Sequence, residues 1–261
     1  MTKILFSFLL MCLMLPTSAQ GTDTLNFTDE RGLKQGNWIK FYENKNPQYE
    51  GYFLDNEPVG EFRRYYEEGG LSSKLLYYPE SDSVKAEFFH PNGYIAARGM
   101  YFSRKREGYW SFYSANIENY LVCRELYKKN LKEGESIKYH WNSNRAEELI
   151  YQNDQKHGPW KQYYTDGILC IQSTFIKGKL NGDFETFHTT GEKEITGKYK
   201  NDVRDGTWTF FNIDGTVKKT IIYHNGIPEN RAELIKEETE YLDMLEKNGG
   251  KIEDPEKTGK I

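Results

Sequence analysis

The chain has 261 residues and a formal net charge of −4 at pH 7, and the 28% of charged residues include both signs, spread along the whole sequence. A dispersed balance of this kind is typical of a solvated surface, and it argues against a nucleic-acid-binding protein, which needs a clustered basic face. It also argues against attachment to an anionic membrane by charge alone.

Residues 1–19 have the pattern of a secretory signal peptide. Lys3 gives a positive start, an apolar run extends from Ile4 to Leu15, and small residues around Ala19 suit a cleavage site. The run is shorter than the ~20 residues that cross a bilayer. We therefore predict an exported protein, in the periplasm, at the outer-membrane surface or outside the cell, with no integral membrane span after cleavage. Lipidation at Cys12 and an uncleaved segment are the weaker alternatives.

Residues 20–228 contain a pattern with a period of about 24 residues. A glycine opens each copy, a large aromatic residue usually follows two positions later, another about five positions later, and a third stands seven positions before the next glycine. A fixed period in this range indicates an array of one supersecondary unit, here in about eight copies, with a degenerate one around Ser83. The opening glycines are Gly36, Gly60, Gly108, Gly134, Gly158, Gly182 and Gly206.

Each period predicts a β-hairpin. It holds two short runs rich in Tyr, Phe, Trp, Ile and Thr, separated by turn-forming clusters such as Thr165-Asp166-Gly167. In a helix, each interior glycine would cost about 1 kcal/mol relative to alanine. One hairpin is too small to fold alone, so neighbouring hairpins must stack. We therefore predict an all-β fold, an elongated array of stacked antiparallel β-hairpins.

The aromatic positions two and five residues after the glycine differ in strand parity. This places them on opposite faces of the sheet unless a bulge intervenes, and both alternatives remain open at this point. If both faces are aromatic, the sheet either curls or exposes an aromatic surface, and an exposed aromatic surface would be a binding site.

Two segments depart from the period. The proline in Tyr77-Tyr78-Pro79 removes a ladder donor, so we expect a bulge or an edge irregularity there. Residues 229–261 change character. Asn230 and Glu233 resemble a capping box, and apolar residues recur at helical spacing as far as Leu245. We predict a C-terminal α-helix that caps the last hairpin, followed by a disordered tail. Leu234, Leu242 and Leu245 are expected to pack near residues 221–223.

The sequence does not indicate catalysis. His140 and His188 occupy a position that other repeats fill with tyrosine, so we interpret them as aromatic-slot residues rather than metal ligands. Acidic pairs such as Glu147-Glu148 are typical of solvated faces, and no nucleophile elbow or phosphate loop is present. We predict no enzyme activity, no metal and no cofactor. Cys123 and Cys170 lie two repeats apart, about 19 Å, which is too far for a disulfide.

The copies Gly158-x-Trp160-x-x-Tyr163-Tyr164 and Gly206-x-Trp208-x-x-Phe211 resemble the MORN repeat variant of bacterial proteins in the YwqK-family antitoxin group. The resemblance covers roughly residues 27–228, although the copies around Ser83 and Gly134 lack the tryptophan. It implies either a scaffold, as MORN repeats at large are described as membrane-proximal or protein-binding, or an antitoxin.

Two functions follow as expectations. The favoured one is a non-catalytic exported repeat scaffold that binds a protein or a cell-envelope polymer through one aromatic face. The alternative is an antitoxin or immunity protein that neutralises a toxin by direct binding, which export would suit only if the toxin is met in the envelope. The candidate binding or core aromatics are Trp38, Trp110, Tyr113, Trp160, Tyr163 and Trp208.

Overall fold

The computed structural model describes residues 24–248, which form one 19-stranded antiparallel sheet followed by one helix. The predicted all-β array with a C-terminal helix is confirmed, whereas the leader, residues 1–19, and the tail after Asn248 lie outside the described residues. The strands are β1 Phe27–Thr28, β2 Lys34–Phe41, β3 Pro47–Leu54, β4 Glu57–Tyr65, β5 Leu71–Tyr77, β6 Ser83–Phe89, β7 Ile95–Phe102, β8 Lys105–Tyr113, β9 Leu121–Lys128, β10 Leu131–Tyr139, β11 Arg145–Gln152, β12 Gln155–Tyr163, β13 Leu169–Ile176, β14 Lys179–Leu180, β15 Gly182–Phe187, β16 Lys193–Lys200, β17 Val203–Phe211, β18 Val217–His224 and β19 Ile227–Pro228, and the helix α1 is Arg231–Asn248.

The strands form a continuous meander. Each pairs antiparallel with its neighbours in sequence, and β14 and β15, which Asn181 separates, share one position beside β13. Residues of successive strands therefore line up in rows across the sheet. One such row begins with Trp38 opposite Gly51, which faces Phe62 on the next strand. A shift of one period moves a residue two strands along the same row.

Two kinds of connection alternate. Two-residue turns such as Asn201-Asp202 have both residues at positive φ, 52° and 69°, the type I′ geometry whose twist matches a hairpin. The other connections are about five residues long. In one of them the Gly167 N–H donates to the carbonyl oxygen of Tyr164 and Gly167 has a φ of 93°, so the turn predicted at Thr165-Asp166-Gly167 is confirmed. Asparagine and aspartate tolerate the left-handed conformation, and such pairs form the two-residue turns in the polar runs.

The opening glycine of each repeat lies in a β-bulge. Between the pairs Tyr52↔Val59 and Gly51↔Phe62, Gly60 and Glu61 are extra residues on β4. Gly60 has a φ of 70°, and the same left-handed value recurs at the other opening glycines. A side chain is disfavoured in this conformation, so the bulge explains why glycine opens each repeat.

Hydrogen bonds tie neighbouring repeats together at both edges. At the loop edge, formed by the longer connections, the Tyr164 hydroxyl donates to the carbonyl oxygen of Phe187 at 2.8 Å, and His140 Nε2 takes the same position against the carbonyl of Tyr163. At the turn edge, formed by the two-residue turns, the backbone N–H of Leu180 donates to Asp202 Oδ1 at 2.7 Å. The histidines therefore fill the tyrosine slot of the ladder, as expected.

The predicted irregularity lies between β5 and β6. Residues 78–82 replace a two-residue turn, and a groove of about 940 Å³ beside them is lined by Tyr78, Pro79, Phe102 and Arg104 among others. The degenerate copy nevertheless keeps its place in the sheet. Ala86 on β6 is completely buried and packs with Trp110 and Tyr127, so a small residue there continues the core row.

The helix α1 covers the end of the array only in part. Leu234 packs against Trp208, Ile221 and Tyr223, as predicted. Leu242 is 54% exposed, so our expectation that it packs on the sheet is wrong, and the side chain of Leu245 lies outside the described residues. Within residues 24–248, no helix is long and apolar enough to span a membrane.

Candidate binding surface

The tryptophan row defines one face of the sheet, which we call the packed face. Its rings lie on glycines of the preceding strand, because a Cβ added at Gly99 would come within 2.4 Å of the Trp110 ring, and one at Gly197 within 2.3 Å of Trp208. Large and small residues thus interlock along this row. The third aromatic column flanks it, with the Tyr101 ring 4.9 Å from Trp110 and nearly perpendicular to it.

The candidate tryptophans divide into buried and partly exposed ones. Trp110 and Trp208 have no exposed surface, so both are core residues and neither is available to a partner. Trp38 and Trp160 are half-buried at the same row position. The Trp38 indole N–H donates to the carbonyl oxygens of Phe27 and Gln35. The Trp160 indole N–H donates to the Glu147 carboxylate at 3.0 Å.

The candidate tyrosines lie on the opposite face, which we call the open face. Tyr163 donates its hydroxyl to Glu148 at 3.0 Å, and burial together with this carboxylate raises the pKa of the tyrosine. The Arg98 guanidinium lies 5.2 Å from the centre of the Tyr113 ring. The parity argument therefore holds, and the structure separates Tyr113 and Tyr163 from the tryptophans instead of joining all the candidates in one site.

The open face also carries large apolar side chains that are about half-exposed. They lie beside the two-residue turns. Phe53 and Tyr101 are on the packed face, and successive residues of a strand point to opposite faces, so Leu54 and Phe102 point to the open face. Exposed fractions between 39% and 59% are unusual for such residues in a row. We call them the open-face row, and its members are Tyr52, Leu54, Phe102, Tyr109, Leu131, Ile176, Val203, Ile222 and Ile227.

A polar seam interrupts the packed face in its middle. Glu125, opposite Ser136, is almost fully buried, and its carboxylate accepts from Lys132 at 2.5 Å and from the Tyr127 hydroxyl at 2.6 Å. Burial, and then the hydrogen bond to Glu125, raise the pKa of Tyr127 well above its usual range. The pKa of the nearest thiol, that of Cys123, is raised to about 11, chiefly by burial.

The second carboxylate of the seam is held in the same way. Glu147 accepts from Lys138 at 2.6 Å, from the Trp160 indole and from Gln162. Burial acts to raise its pKa, but these hydrogen bonds outweigh that cost and hold the pKa below the usual value. Both carboxylates of the seam are thus buried and bonded within the sheet, so we interpret the seam as a structural contact.

Neither the histidines nor the cysteines assemble into a reactive cluster in the part of the chain that the structure describes. No group of His, Cys, Asp and Glu side chains there has the arrangement of a metal site. Cys123 lies on β9 and Cys170 on β13, and both thiols are free.

Comparison with known proteins agrees with this architecture. Three segments, residues 34–55, 58–77 and 156–177, match the model of the MORN repeat variant family. These three segments are similar to MORN-variant repeats. The matched segments are strand pairs of the array, and unmatched repeats such as the one at Gly134 continue the same rows. No curated protein sequence matches the chain significantly.

One solved structure, "Crystal Structure of TcdB2-TccC3-TEV", aligns over 77% of this chain and 12% of its own length at 10% identity. The chain thus spans a small part of that protein. The TM-score of 0.20 is too low to support a common fold, and nothing is concluded from it.

Sequence reasoning missed both the seam and the open-face row. The seam has a signal in the repeat, since the residue nine positions before each opening glycine includes Gly51, Gly99, Leu149 and Gly197 but is Glu125 in the middle copy. A carboxylate in a column of small and apolar residues indicates a buried charge. The open-face row has no comparable signal, because lysine or glutamine fills the same positions in other repeats.

Proposed function

We propose that the protein is a non-catalytic, exported repeat scaffold that binds a protein partner or a cell-envelope polymer through its open face. The observation that carries this proposal is the open-face row, a line of exposed apolar side chains repeated along the array. The largest apolar patch on a typical monomer covers roughly 300–600 Å² and is often functional. About half the surface of each row member is exposed, which is roughly 100 Å² for an aromatic side chain, and polar residues such as Gln152 and Gln155 separate some of the members.

The packed face is a weaker candidate for binding. Trp110 and Trp208 fill the core, the indole N–H groups of Trp38 and Trp160 are already bonded, and Glu125 and Glu147 are paired within the seam. MORN-variant repeats are generally binding or repeat modules, which agrees with a scaffold. Export rests on the signal-like residues 1–19 alone. An antitoxin or immunity protein that binds its toxin through the same face is the alternative.

The test is affinity capture from envelope fractions with the mature chain as bait. The double variant F102S/I176S removes two members of the open-face row, and the matched control I117S/I213S removes equally exposed apolar side chains, 52% and 59%, from the loop edge. We expect a captured protein or polymer to be lost with the first variant and retained with the second. Equal capture by both variants would contradict binding through the open face, and a toxin among the captured proteins would establish the alternative.

Cell fractionation tests the location separately. We expect the protein in the periplasm, the outer-membrane fraction or the medium. Recovery wholly from the cytoplasm would contradict export and favour an antitoxin with a cytosolic target.

A further inference from the structure

The turn edge carries a line of basic side chains with no acidic partner. Each is exposed, and none forms an ion pair with a side chain that the structure describes. The line runs along the same turns that present the open-face row, from the turn before β8 to the end of β16. We call it the basic strip, and its members are Arg104, Lys105, Lys128, Lys129, Lys177, Lys179 and Lys200.

The carboxylates nearest the basic strip are already engaged. Glu107 accepts the backbone N–H of Lys129 at 2.9 Å, and Glu133 accepts that of Asn153 at 2.7 Å. Asp154 and Asp202 accept backbone N–H groups of the neighbouring repeat. These bonds hold the carboxylates against the backbone, while the ammonium groups extend into solvent. Backbone N–H groups do not neutralise these four carboxylates, but the seven cations of the strip outnumber them, so the strip has an excess of positive charge in a chain whose net charge is −4.

A cation and an apolar side chain face each other across four of the turns. Lys105 pairs across its hairpin with Phe102, Lys128 with Leu131, Lys179 with Ile176 and Lys200 with Val203, whereas the turn between β11 and β12 has Gln152 opposite Gln155. A partner that satisfies this edge must offer carboxylates and aliphatic groups in alternation. The geometry points to an acidic protein segment, with Glu or Asp interleaved with apolar side chains, that binds along the turn edge. This inference rests on the proposed function and specifies the chemistry of the partner.

The shape of the edge favours a linear chain over a membrane. Adjacent strands of a sheet are rotated by roughly 20–25° on average, so the edge turns through more than about half a circle between β7 and β17. A planar bilayer touches only part of such an edge, whereas a chain can follow it. The apolar residues paired with the strip are Leu131, Ile176 and Val203, which are aliphatic, and Phe102, so they offer one ring and not the series of rings on which successive bases stack, and a nucleic acid fits less well.

The length of the edge sets the size of the probe. Strands lie ~4.8 Å apart, and β14 and β15 share one position, so the nine steps from β7 to β17 extend over about 43 Å, which an extended peptide of about 13 residues spans. A fluorescein-labelled peptide of that length, with Glu alternating with Leu, Phe and Ser, is titrated with the full chain and followed by fluorescence anisotropy. Two further peptides separate the contributions: one has Gln in place of Glu, and the other has Ser in place of Leu and Phe.

Charge reversal identifies the surface. The triple variant K128E/K177E/K200E is compared with K40E/K45E/K218E, which makes the same charge change at exposed, unpaired lysines of the loop edge. We expect the acidic peptide to bind the control about as well as the natural chain and the strip variant at least about tenfold more weakly. Both altered peptides should bind more weakly than the original, and added salt should weaken binding. Circular dichroism confirms that both variants fold.

Other outcomes overturn the inference. Equal weakening by both variants would mean that net charge alone drives binding. Preference for phosphatidylglycerol vesicles or for a single-stranded oligonucleotide over the acidic peptide would replace the protein segment with a membrane or a nucleic acid. If capture from the envelope returns a partner that the strip variant still binds, the inference fails while the proposed function stands.

Discussion

The fit of tryptophan on glycine is the most direct test of the packed face, and Gly99→Ala is the change that tests it. Gly99 has an ordinary extended backbone, so alanine at such a site normally stabilises a protein by about 0.4–1 kcal/mol through the unfolded state. Here the new methyl carbon would meet Trp110 ring atoms at 2.4 Å and 2.5 Å. The ring has no exposed surface and is packed by Tyr101 and Phe88, so it cannot move aside.

Overpacking of this kind costs roughly 1–3 kcal/mol. We therefore expect Gly99→Ala to lower the free energy of unfolding by about 2 kcal/mol and the melting temperature by roughly 4–8 °C for a chain of this size. Urea denaturation followed by tryptophan fluorescence measures the effect. A double-mutant cycle with Trp110→Leu isolates its cause, because the alanine should cost at least about 1 kcal/mol less once the ring is absent. An alanine variant as stable as the natural chain, or one whose cost persists without the ring, would refute the interlocking of ring and glycine.

Three further predictions follow from the seam and the loop edge. Because the pKa of Glu147 is lowered in the folded state, its contribution to stability should be present above pH ~4.5 and lost as pH falls through the folded pKa; Glu147→Gln should flatten this part of the pH–stability profile. Cys123, with a pKa raised to about 11, should react far more slowly with iodoacetamide at pH 8 in the folded chain than in urea, and a similar rate in both would contradict its burial. Tyr164→Phe removes the hydroxyl that bonds Phe187 and should cost about 1 kcal/mol, measured by urea denaturation, while an unchanged midpoint would show that the loop-edge bond adds no stability.

Much of the fold could be predicted from the sequence, because periodicity reports on what every copy shares. The spacing of Gly158, Trp160 and Tyr163 determines a bulge, a core ring and a tyrosine on the opposite face, and each recurs across the sheet. Both kinds of turn were predicted at the right places, since Gly167 and the pair Asn153-Asp154 all adopt positive φ. The lengths of the connections were not predictable, because single-residue preferences do not tell which connection is tighter.

The binding surface was less predictable, since exposure depends on neighbours several strands away. Trp110 and Trp160 have the same place in the repeat, but Gly99 lets the first ring sink onto the backbone whereas Leu149 faces the second. The first is buried and the second half-exposed. A pattern that treats both as the same residue cannot distinguish a core position from an accessible one.

The seam has a further consequence for an array of similar repeats. A slip of the strand pairing by one whole period would keep most aromatic residues in their columns, so the residues that the repeats share do not by themselves select the native register. The pair of Lys138 on β10 with Glu147 on β11 removes this degeneracy, because a slip at that position would place Lys138 opposite Ile171 on β13 and leave Glu147 without its cation. Loss of one partner of a buried pair costs roughly 3–5 kcal/mol when both groups are fully buried, and less here because Lys138 is 59% exposed. This cost arises only in slipped pairings. The pair of Lys138 with Glu147 therefore favours the native register even if it adds little to the overall stability of the protein.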